Sequence, residues 1–422
     1  MNVYIKLFTL SLLLVSLINA QEVTQKRDRI NSVRKVVDSV GKIEKKDISM
    51  VDSFKHMFTD GKVSGQVRTI YAAYNQKEAG AQDTYATAIG GILKYELAEF
   101  KGFNAGVAVY TSHDIAFATG SGVKQNSEIS STSGDYTEMA EAYINYEYED
   151  LSLRVGRQVL DTPLADSDDI RMIQNSFNAY VLSYNYAEVE FMAGNIQSWQ
   201  GTDAGLDDAW QDIGSNGANF AGLAYNDGLE FGVWYYNITS KLNAVYFEFG
   251  GSYELNKDMQ IYAMTQYLNE KELNSSGFAA NIYGAMFEFV AYDIGFNVAY
   301  NKADKKTGLA SFSGTGGGSL FTSMDTMIID NIAIDREADA FVAGLSYTYD
   351  DFNFLYAFGD FNGDADSSNV KAHIVEQDIG FEYNVNDEFL IAALYVLSED
   401  KESSAKTADD WERVQVIVNY NF

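Results

Sequence analysis

The sequence predicts an all-β protein: a transmembrane antiparallel β-barrel of about 18 strands with a short helical N-terminal extension. Three observations predict this fold. Apolar and polar residues alternate along many segments, tight turns alternate with long polar loops between them, and the composition suits paired strands. The 422 residues include one Pro, no Cys, 34 Gly and 29 Tyr. A chain with almost no Pro can keep nearly every backbone N–H in a sheet ladder, as a membrane-spanning sheet requires.

The charge and the Cys count exclude several classes of function. The formal net charge is −30, which disfavours a nucleic-acid partner because phosphate contacts need clustered Lys and Arg. A chain without Cys has no disulfide framework and no thiolate chemistry. An acidic exterior and a cation-preferring lumen both remain open as interpretations of the charge.

Residues 1–20 have the pattern of a secretory signal peptide. A basic start ending at Lys6 precedes the apolar run 7–18 and the small residue Ala20, after which we expect cleavage. A lone membrane anchor is the alternative, but the run is shorter than the roughly 20 residues that a spanning helix needs. No later segment has eighteen uninterrupted apolar residues, so any membrane span must be a β-strand.

Residues 21–60 differ in composition from everything after them, being rich in Lys and Arg and lacking Tyr. Apolar residues recur in this segment at helical spacing; they are Ile30, Val33, Val37 and Val40. A second helix is predicted after a weak capping box at 49–52, with Phe54 and Phe58 on its apolar face and Gly61 as its stop. We interpret 21–60 as a helical periplasmic or lumenal extension, with a mobile leader as the alternative.

Residues 61–422 form the predicted barrel domain. In the last segment Val414 and Val416 share one face while Arg413 and Gln415 share the other, so one face suits lipid and the other suits water. The predicted strands cover residues 62–75, 84–98, 102–113, 136–148, 151–159, 176–186, 188–199, 217–226, 229–238, 242–255, 258–269, 277–291, 293–302, 337–349, 352–362, 371–385, 388–398 and 411–422.

The connections separate a barrel from a soluble β-sandwich. Minimal turns such as 149–150 and 350–351 alternate with long polar loops such as 159–175 and 303–336. An even strand number with tight turns at one end and long loops at the other is typical of outer-membrane barrels, whereas a sandwich carries long loops at both ends. We therefore expect the long loops outside the cell and both termini in the periplasm.

Aromatic residues near the predicted strand ends indicate girdles at the two membrane–water boundaries. The girdle candidates are Tyr143, Tyr146, Tyr148, Trp234, Tyr235, Tyr236, Tyr347 and Tyr349. Phe422 closes an alternating aromatic strand. That ending resembles the C-terminal signal by which barrel-assembly machinery recognises outer-membrane proteins.

Two segments resemble a known family. The stretch GKVSGQVR at 61–68 is similar to the first-strand opening of OprD-like porins, including the Campylobacter-type major outer membrane porin. The stretch RVGRQVLDTPLADSDDIR at 154–171, which holds the sole Pro, resembles the strand and inward-folding third loop of that family. The resemblance implies an eighteen-stranded barrel that passes small hydrophilic solutes, with basic side chains facing acidic groups in its eyelet. The low Arg content and the basic extension depart from the family and disfavour a strict amino-acid-specific channel.

The loop 159–175 is the best candidate for a selectivity constriction. A barrel of this size encloses an aqueous channel, which something must narrow. We expect this polar, Pro-stiffened loop to fold into the lumen, with arching outward as the alternative. Arg157 has the wrong parity for the lumen unless its strand ends or bulges, and Arg171 can pair locally with Asp168. The candidate constriction residues are Arg68, Arg154, Arg157, Asp161, Asp166, Asp168, Asp169, Arg171 and Arg413.

Three other residue patterns are weak indications of a catalytic or ligand-binding site. Ser112 and His113 are adjacent on a strand, so they face opposite sides and cannot form a nucleophile–base pair. The segment 360–366 supplies oxygens for Ca²⁺ but lacks EF-hand spacing, and an acidic turn is the simpler interpretation. The Gly-rich stretch 314–318 is interpreted as a flexible surface loop.

The sequence therefore predicts a passive diffusion channel for small hydrophilic solutes and ions, with a modest cation preference. No catalytic residue, cofactor or metal is expected. The predicted partners are outer-membrane lipid and lipopolysaccharide, the permeating solutes and ions, and barrel-assembly machinery through Phe422. A homotrimer is left open. The alternatives are a barrel used as an adhesin or structural anchor and, less favoured, an outer-membrane lipid hydrolase.

Overall fold

The computed structural model describes residues 50–169, 171–207, 210–316 and 318–422. The predicted signal peptide and the helical pattern at residues 30–40 lie outside the described residues, so those two interpretations stay predictions. The helix predicted next is present as α1, Met50–Thr59. No helix among the described residues combines the length and apolar character needed to cross a bilayer.

Eighteen long antiparallel strands make up more than half of the described chain. Their bounds are β1 Lys62–Gln76, β2 Thr84–Glu96, β3 Phe103–Asp114, β4 Asp135–Tyr148, β5 Leu151–Gln158, β6 Ser176–Tyr186, β7 Val189–Gln200, β8 Ala218–Asp227, β9 Leu229–Ile238, β10 Leu242–Asn256, β11 Met259–Glu272, β12 Ala280–Ala291, β13 Ile294–Ala303, β14 Ala338–Tyr349, β15 Phe352–Gly363, β16 Ala372–Asn384, β17 Phe389–Asp400 and β18 Trp411–Asn421. A two-residue strand, Gln211–Asp212, adds to β7 and brings the sheet to 19 strands.

The sheet closes on itself because β1 pairs with β18. In the register of that seam Arg68 lies opposite Asn419. The seam extends beyond β18, where the N–H of Phe422 donates to the carbonyl of Gly65 at 3.0 Å and the N–H of Gly65 donates back at 3.1 Å. A closed barrel leaves no unpaired sheet edge, which is what allows strands to span a bilayer. The predicted eighteen-stranded antiparallel barrel is confirmed.

Turns and loops separate to opposite ends of the barrel. The turn end has two-residue connections such as 149–150 and 350–351. The first residue of β1 and the last residue of β18 also lie at this end. There Glu149 and Asp350 have φ of 52° and 49°, as the primed turns of tight hairpins require. The loop end carries the long connections, among them 115–134, 159–175 and 304–337. Among the described residues, a four-residue helix, α2 Ile329–Ile332, lies in the last of these.

The two faces of each strand differ in the way that the alternation predicts. On β1 the outward Val67 is 48% exposed, whereas the next residue, Arg68, is 2% exposed and faces the lumen.

The prediction of aromatic girdles at the membrane boundaries is only partly right. Tyr148, Tyr235, Tyr347 and Tyr349 are outward and exposed, but Tyr143, Trp234 and Tyr236 are buried on the lumenal face. The identity of an aromatic residue does not show whether its ring faces lipid or the lumen. Its position in the alternation of its strand determines that.

Candidate channel constriction

Arg68 connects the barrel wall to the loop 159–175. Its guanidinium donates to both carboxylate oxygens of Asp169, at 2.6 and 2.7 Å, and to the carbonyl of Arg171 at 2.5 Å. The remaining donors go to Asn419 at 3.1 Å and Gln66 at 2.9 Å. All five guanidinium N–H groups therefore have acceptors. A bidentate, charge-assisted pair of this kind fixes position as well as charge.

A second group of charges lies beside this pair, and we call it the seam cluster: Arg171, Arg413, Glu128 and Asp325. Arg413 of β18 donates to Glu128 at 2.7 Å and to Asp325, and Arg171 donates to the same two carboxylates. Burial by itself raises the pKa of Asp325, but the guanidiniums of Arg413 and Arg171 outweigh it and hold the pKa below its usual value. The seam cluster joins the loops 115–134, 159–175 and 304–337 to the strand that closes the barrel.

The other end of the loop 159–175 reaches the opposite wall. Within the loop, Asp161–Thr162 and Ala165–Asp166 pair as a short hairpin. Next to this hairpin, the hydroxyl of Tyr236 on β9 lies 3.3 Å from the N–H of Leu164, which donates to it. Strand β9 is eight strands from β1 in a ring of eighteen, so the two strands lie nearly opposite each other across the lumen. The loop therefore crosses the lumen from Arg68 to Tyr236.

The loop 304–337 packs beside the crossing loop inside the barrel. Thr315 donates its N–H to Leu164 at 2.9 Å and accepts from Asp166 at 3.1 Å. This close approach depends on glycine, because Gly316 has φ of 87° and a Cβ there would overlap the carbonyl oxygen of Asp166. The structure thus corrects the interpretation of 314–318 as a flexible surface loop. Thr315 is 5% exposed, and its hydroxyl also donates to the carbonyl of Leu164 in the crossing loop, at 3.0 Å.

The same loop also binds the inner wall through its backbone. Phe321 donates its N–H to Gln266 at 2.7 Å, and Thr322 donates to Asn301 at 3.0 Å. Further along, the N–H of Thr326 lies 3.0 Å from Glu376 of β16 and donates to it. Inward carboxamides and carboxylates therefore satisfy loop N–H groups that would otherwise be buried without partners.

Charged side chains lie on both walls of the lumen below the crossing loop, and Lys94 is paired there with Glu141 at 2.9 Å and with Glu96 at 3.5 Å. On one side, Arg154 of β5 and Lys94 of β2 both stack on the ring of Tyr143, at 4.6 and 5.3 Å from its centroid. On the other side, the inward carboxylates belong to β9, β10 and β12; they are Glu230, Glu248 and Glu288. The carboxylates of β9, β10 and β12 therefore add negative charge to their side of the lumen.

The structure brings together only some of the predicted constriction residues. Arg68, Asp169, Arg171 and Arg413 meet at the seam, and Asp161 and Asp166 lie in the hairpin. Asp168 is 4% exposed, and its Oδ1 has no hydrogen-bond partner among the described residues. Arg154 lies lower on the wall, away from this group. Arg157 lies on the outward side of its strand, donating to the carbonyl of Met139 at 2.9 Å and stacking on Trp210, so it does not join the group at the seam.

Sequence reasoning missed four carboxylates that hold the loops. Glu128 and Asp325 complete the seam cluster, and Glu376 and Asp378 accept hydrogen bonds from the loop 304–337. One signal was available. The loop 304–337 carries large apolar residues that an outward loop has no reason to hold, and they are buried here: Leu320, Phe321, Met324, Ile329 and Ile332.

The Ser–His pair has the geometry that the alternation predicts. Ser112 is fully buried on the lumenal face and donates to the carbonyl of Ile129 at 2.5 Å. His113 faces outward and pairs with Asp135 at 2.7 Å. The two side chains lie on opposite faces of β3, so they cannot act together as nucleophile and base.

The same fold occurs in solved porin structures. Pseudomonas aeruginosa OpdK, determined with vanillate, matches with a TM-score of 0.74 at 14% identity, covering 86% of this chain and 99% of that chain. Pseudomonas aeruginosa OccK9 (OpdG) matches with a TM-score of 0.73 at 12% identity, covering 87% and 99%. A BenF-like porin from Pseudomonas fluorescens matches with a TM-score of 0.74 at 13% identity, covering 86% and 98%.

No protein-family model and no curated protein matches the sequence. The structural matches confirm the fold that the resemblance to OprD-like porins implies. The finer likeness to the Campylobacter type stays a prediction. The chain has the closed eighteen-stranded β-barrel fold of outer-membrane porins.

Proposed function

We propose that the chain is an outer-membrane porin, a passive channel for small hydrophilic solutes and ions that is narrowed by the loop 159–175. The observation that carries the proposal is the path of this loop, from the buried pair with Arg68 on β1 to Tyr236 on β9. A loop that crosses the lumen divides it into smaller passages. An adhesin or anchor needs no such crossing, because its function lies on the outer surface.

The charges around the passage favour a modest cation preference. Inward carboxylates of β9, β10 and β12 face the lumen, and the whole chain carries a net charge of −30. A lumen with excess negative charge concentrates cations and excludes anions at low salt. This effect weakens as the Debye length falls to about 3 Å at 1 M salt.

The inward Arg154 gives the passage a direction as well as a sign. It lies across the lumen from Glu230, Glu248 and Glu288, so a zwitterionic solute is oriented by the field between them. At an effective dielectric of about 20, two charges at about 4 Å interact by roughly 4 kcal/mol before desolvation is subtracted. That upper limit is enough to orient a solute without trapping it.

Conductance in planar lipid bilayers tests the proposal. Purified protein added to one side should insert in discrete conductance steps. In a KCl gradient the reversal potential should have the sign of cation preference, and this preference should fall as the salt concentration rises towards 1 M. A folded barrel that inserts without conducting would favour the anchor or adhesin, and lipid hydrolysis by the same preparation would favour the hydrolase.

A further inference from the structure

The helix α1 is joined to the lipid-facing side of the barrel rather than to its lumen. Tyr95 of β2 has the outward parity of Leu93, which is 57% exposed. Its hydroxyl donates to the carbonyl of Phe58 at 2.5 Å, and the N–H of Ala98 donates to the carbonyl of Met57 at 3.0 Å. These two bonds place the end of α1 at the outer edge of the barrel's turn end.

The helix keeps an apolar face uncovered at this edge. The rings of Phe54 and Phe58 meet edge to face with centroids 5.6 Å apart, yet they remain 55% and 53% exposed. Met57, on the adjoining side, is buried. Lys55 and His56 lie on the remaining, polar side, as expected for an amphipathic helix.

The uncovered face is continuous with the barrel's lipid-facing belt. Val63 of β1 is outward and 56% exposed, and Phe103 of β3 is outward and 49% exposed at the same end of the barrel. Tyr95 connects this belt to Phe58. When an exposed apolar patch continues a lipid-facing surface, we expect that patch to contact lipid as well.

We propose that α1 is an interfacial anchor that lies in the headgroup–acyl boundary of the leaflet at the turn end, with phospholipid covering Phe54 and Phe58. In outer-membrane barrels the short turns face the periplasm, so this leaflet is the inner one. Amphipathic helices with an aromatic apolar face bind such boundaries in the plane of the membrane.

Depth-dependent quenching tests the proposal, and the chain has no Cys to interfere. The full-length protein carrying Phe58→Cys is labelled with an environment-sensitive fluorophore and reconstituted into phosphatidylethanolamine–phosphatidylglycerol vesicles with nitroxide-labelled lipid. Lys55→Cys reports the polar face of the same helix, and Val233→Cys reports the lipid-facing wall. Heat-modifiable mobility on gels verifies folding of each variant.

We expect the label at position 58 to be quenched by at least about half as much as the label at 233, and several-fold more than the label at 55. Equal, weak quenching at 55 and 58 would overturn the proposal. A blue-shifted label at 58 that lipid does not quench would also overturn it, because protein would then cover the face. Disulfide-linked dimers through unlabelled Phe58→Cys at low protein-to-lipid ratio would identify that protein as a second copy.

Discussion

At the residue scale, the account depends most on Arg68, because this one side chain holds the crossing loop at the seam. Removing one partner of a buried ion pair costs about 3–5 kcal/mol, since the other charge is left uncompensated. We expect Arg68→Leu to release the loop 159–175 and to give larger, noisier single-channel currents.

Two further variants distinguish loop release from general damage. Arg154→Leu also removes an inward arginine, but one that stacks on Tyr143 rather than contacting the loop, so its current noise should stay near that of the wild type. The double variant Arg68→Leu/Asp169→Leu removes both charges and should recover part of the quiet behaviour. Equal current noise in Arg68→Leu and Arg154→Leu would show that Arg68 does not hold the loop 159–175 in place.

Asp335 makes a pH-dependent contact between two outer loops. Its carboxylate accepts from the hydroxyl and N–H of Ser367 at 3.0 Å each and from the N–H of Gly308 at 2.6 Å. The side-chain bond from Ser367 and the two N–H bonds lower the pKa of Asp335 to about 2. Because the folded pKa is depressed, the contact is fully present above the unfolded pKa of about 3.9 and is lost as pH falls towards about 2.

A spin label at Ser368→Cys should therefore become more mobile between about pH 4 and pH 2. In the Asp335→Asn background the label should already be mobile at neutral pH and should not change further on acidification. An unchanged spectrum down to pH 2 in the otherwise native chain would show that Asp335 does not hold the loop.

The strand alternation and the motif together predicted four of the six charged residues that meet at the seam. Arg68 and Arg413 are inward by alternation, and Asp169 and Arg171 follow from the loop that resembles a known third loop. Glu128 and Asp325 were not found, because they lie in loops that have no period and contact partners far away in the chain. Arg171 and Asp325 are 154 residues apart, and nothing local in either loop indicates that they meet.

At the scale of elements, the crossing loop and the loop 304–337 act as one unit inside the barrel. Gly316 permits their contact, so Gly316→Ala should separate them and raise both conductance and noise. Gly308→Ala is the matched control, because its φ of 72° carries a similar strain of about 1–2 kcal/mol but nothing lies within 4 Å of the added Cβ. If the two variants have the same conductance and current noise, the contact between the two loops does not determine the width of the passage.

The last strand makes a separate prediction. Phe422 closes the seam through its backbone and stacks on Tyr420 with ring centroids 6.3 Å apart. If the ring is part of an assembly signal, Phe422→Ala and deletion of Phe422 should lower the amount of heat-modifiable barrel in the outer membrane similarly. A loss confined to the deletion would assign the effect to the seam hydrogen bonds instead.

Strands were the most predictable elements, because period-two alternation is a local property that the barrel imposes on every strand. The predicted and observed bounds agree closely at β6 and β9. They differ more at the connection between β11 and β12, where β11 continues to Glu272 and β12 begins at Ala280. At the end of β11, polar residues continue the ladder without continuing the apolar alternation, so the pattern ends before the pairing does. At β12 the opposite holds, because the predicted start at 277 precedes the first paired residue, Ala280.

At the scale of the whole molecule, the account requires that ion preference comes from the lumen and not from the acidic exterior. The net charge of −30 is spread over both, and sequence alone cannot divide it between them. The hairpin carboxylates Asp161 and Asp166 suit the test, because they lie in the crossing loop but outside the pair with Arg68 and the seam cluster.

The most direct measurement is the reversal potential of single channels in a low-salt KCl gradient, compared between two variants of equal charge change. Asp161→Asn/Asp166→Asn neutralises the crossing loop, and Glu402→Gln/Asp409→Asn neutralises two exposed acids of an outer loop. We expect the first variant to lose much of the cation preference and the second to stay close to the wild type. Equal shifts in the two variants would place the field on the exterior and contradict a constriction formed by the loop 159–175.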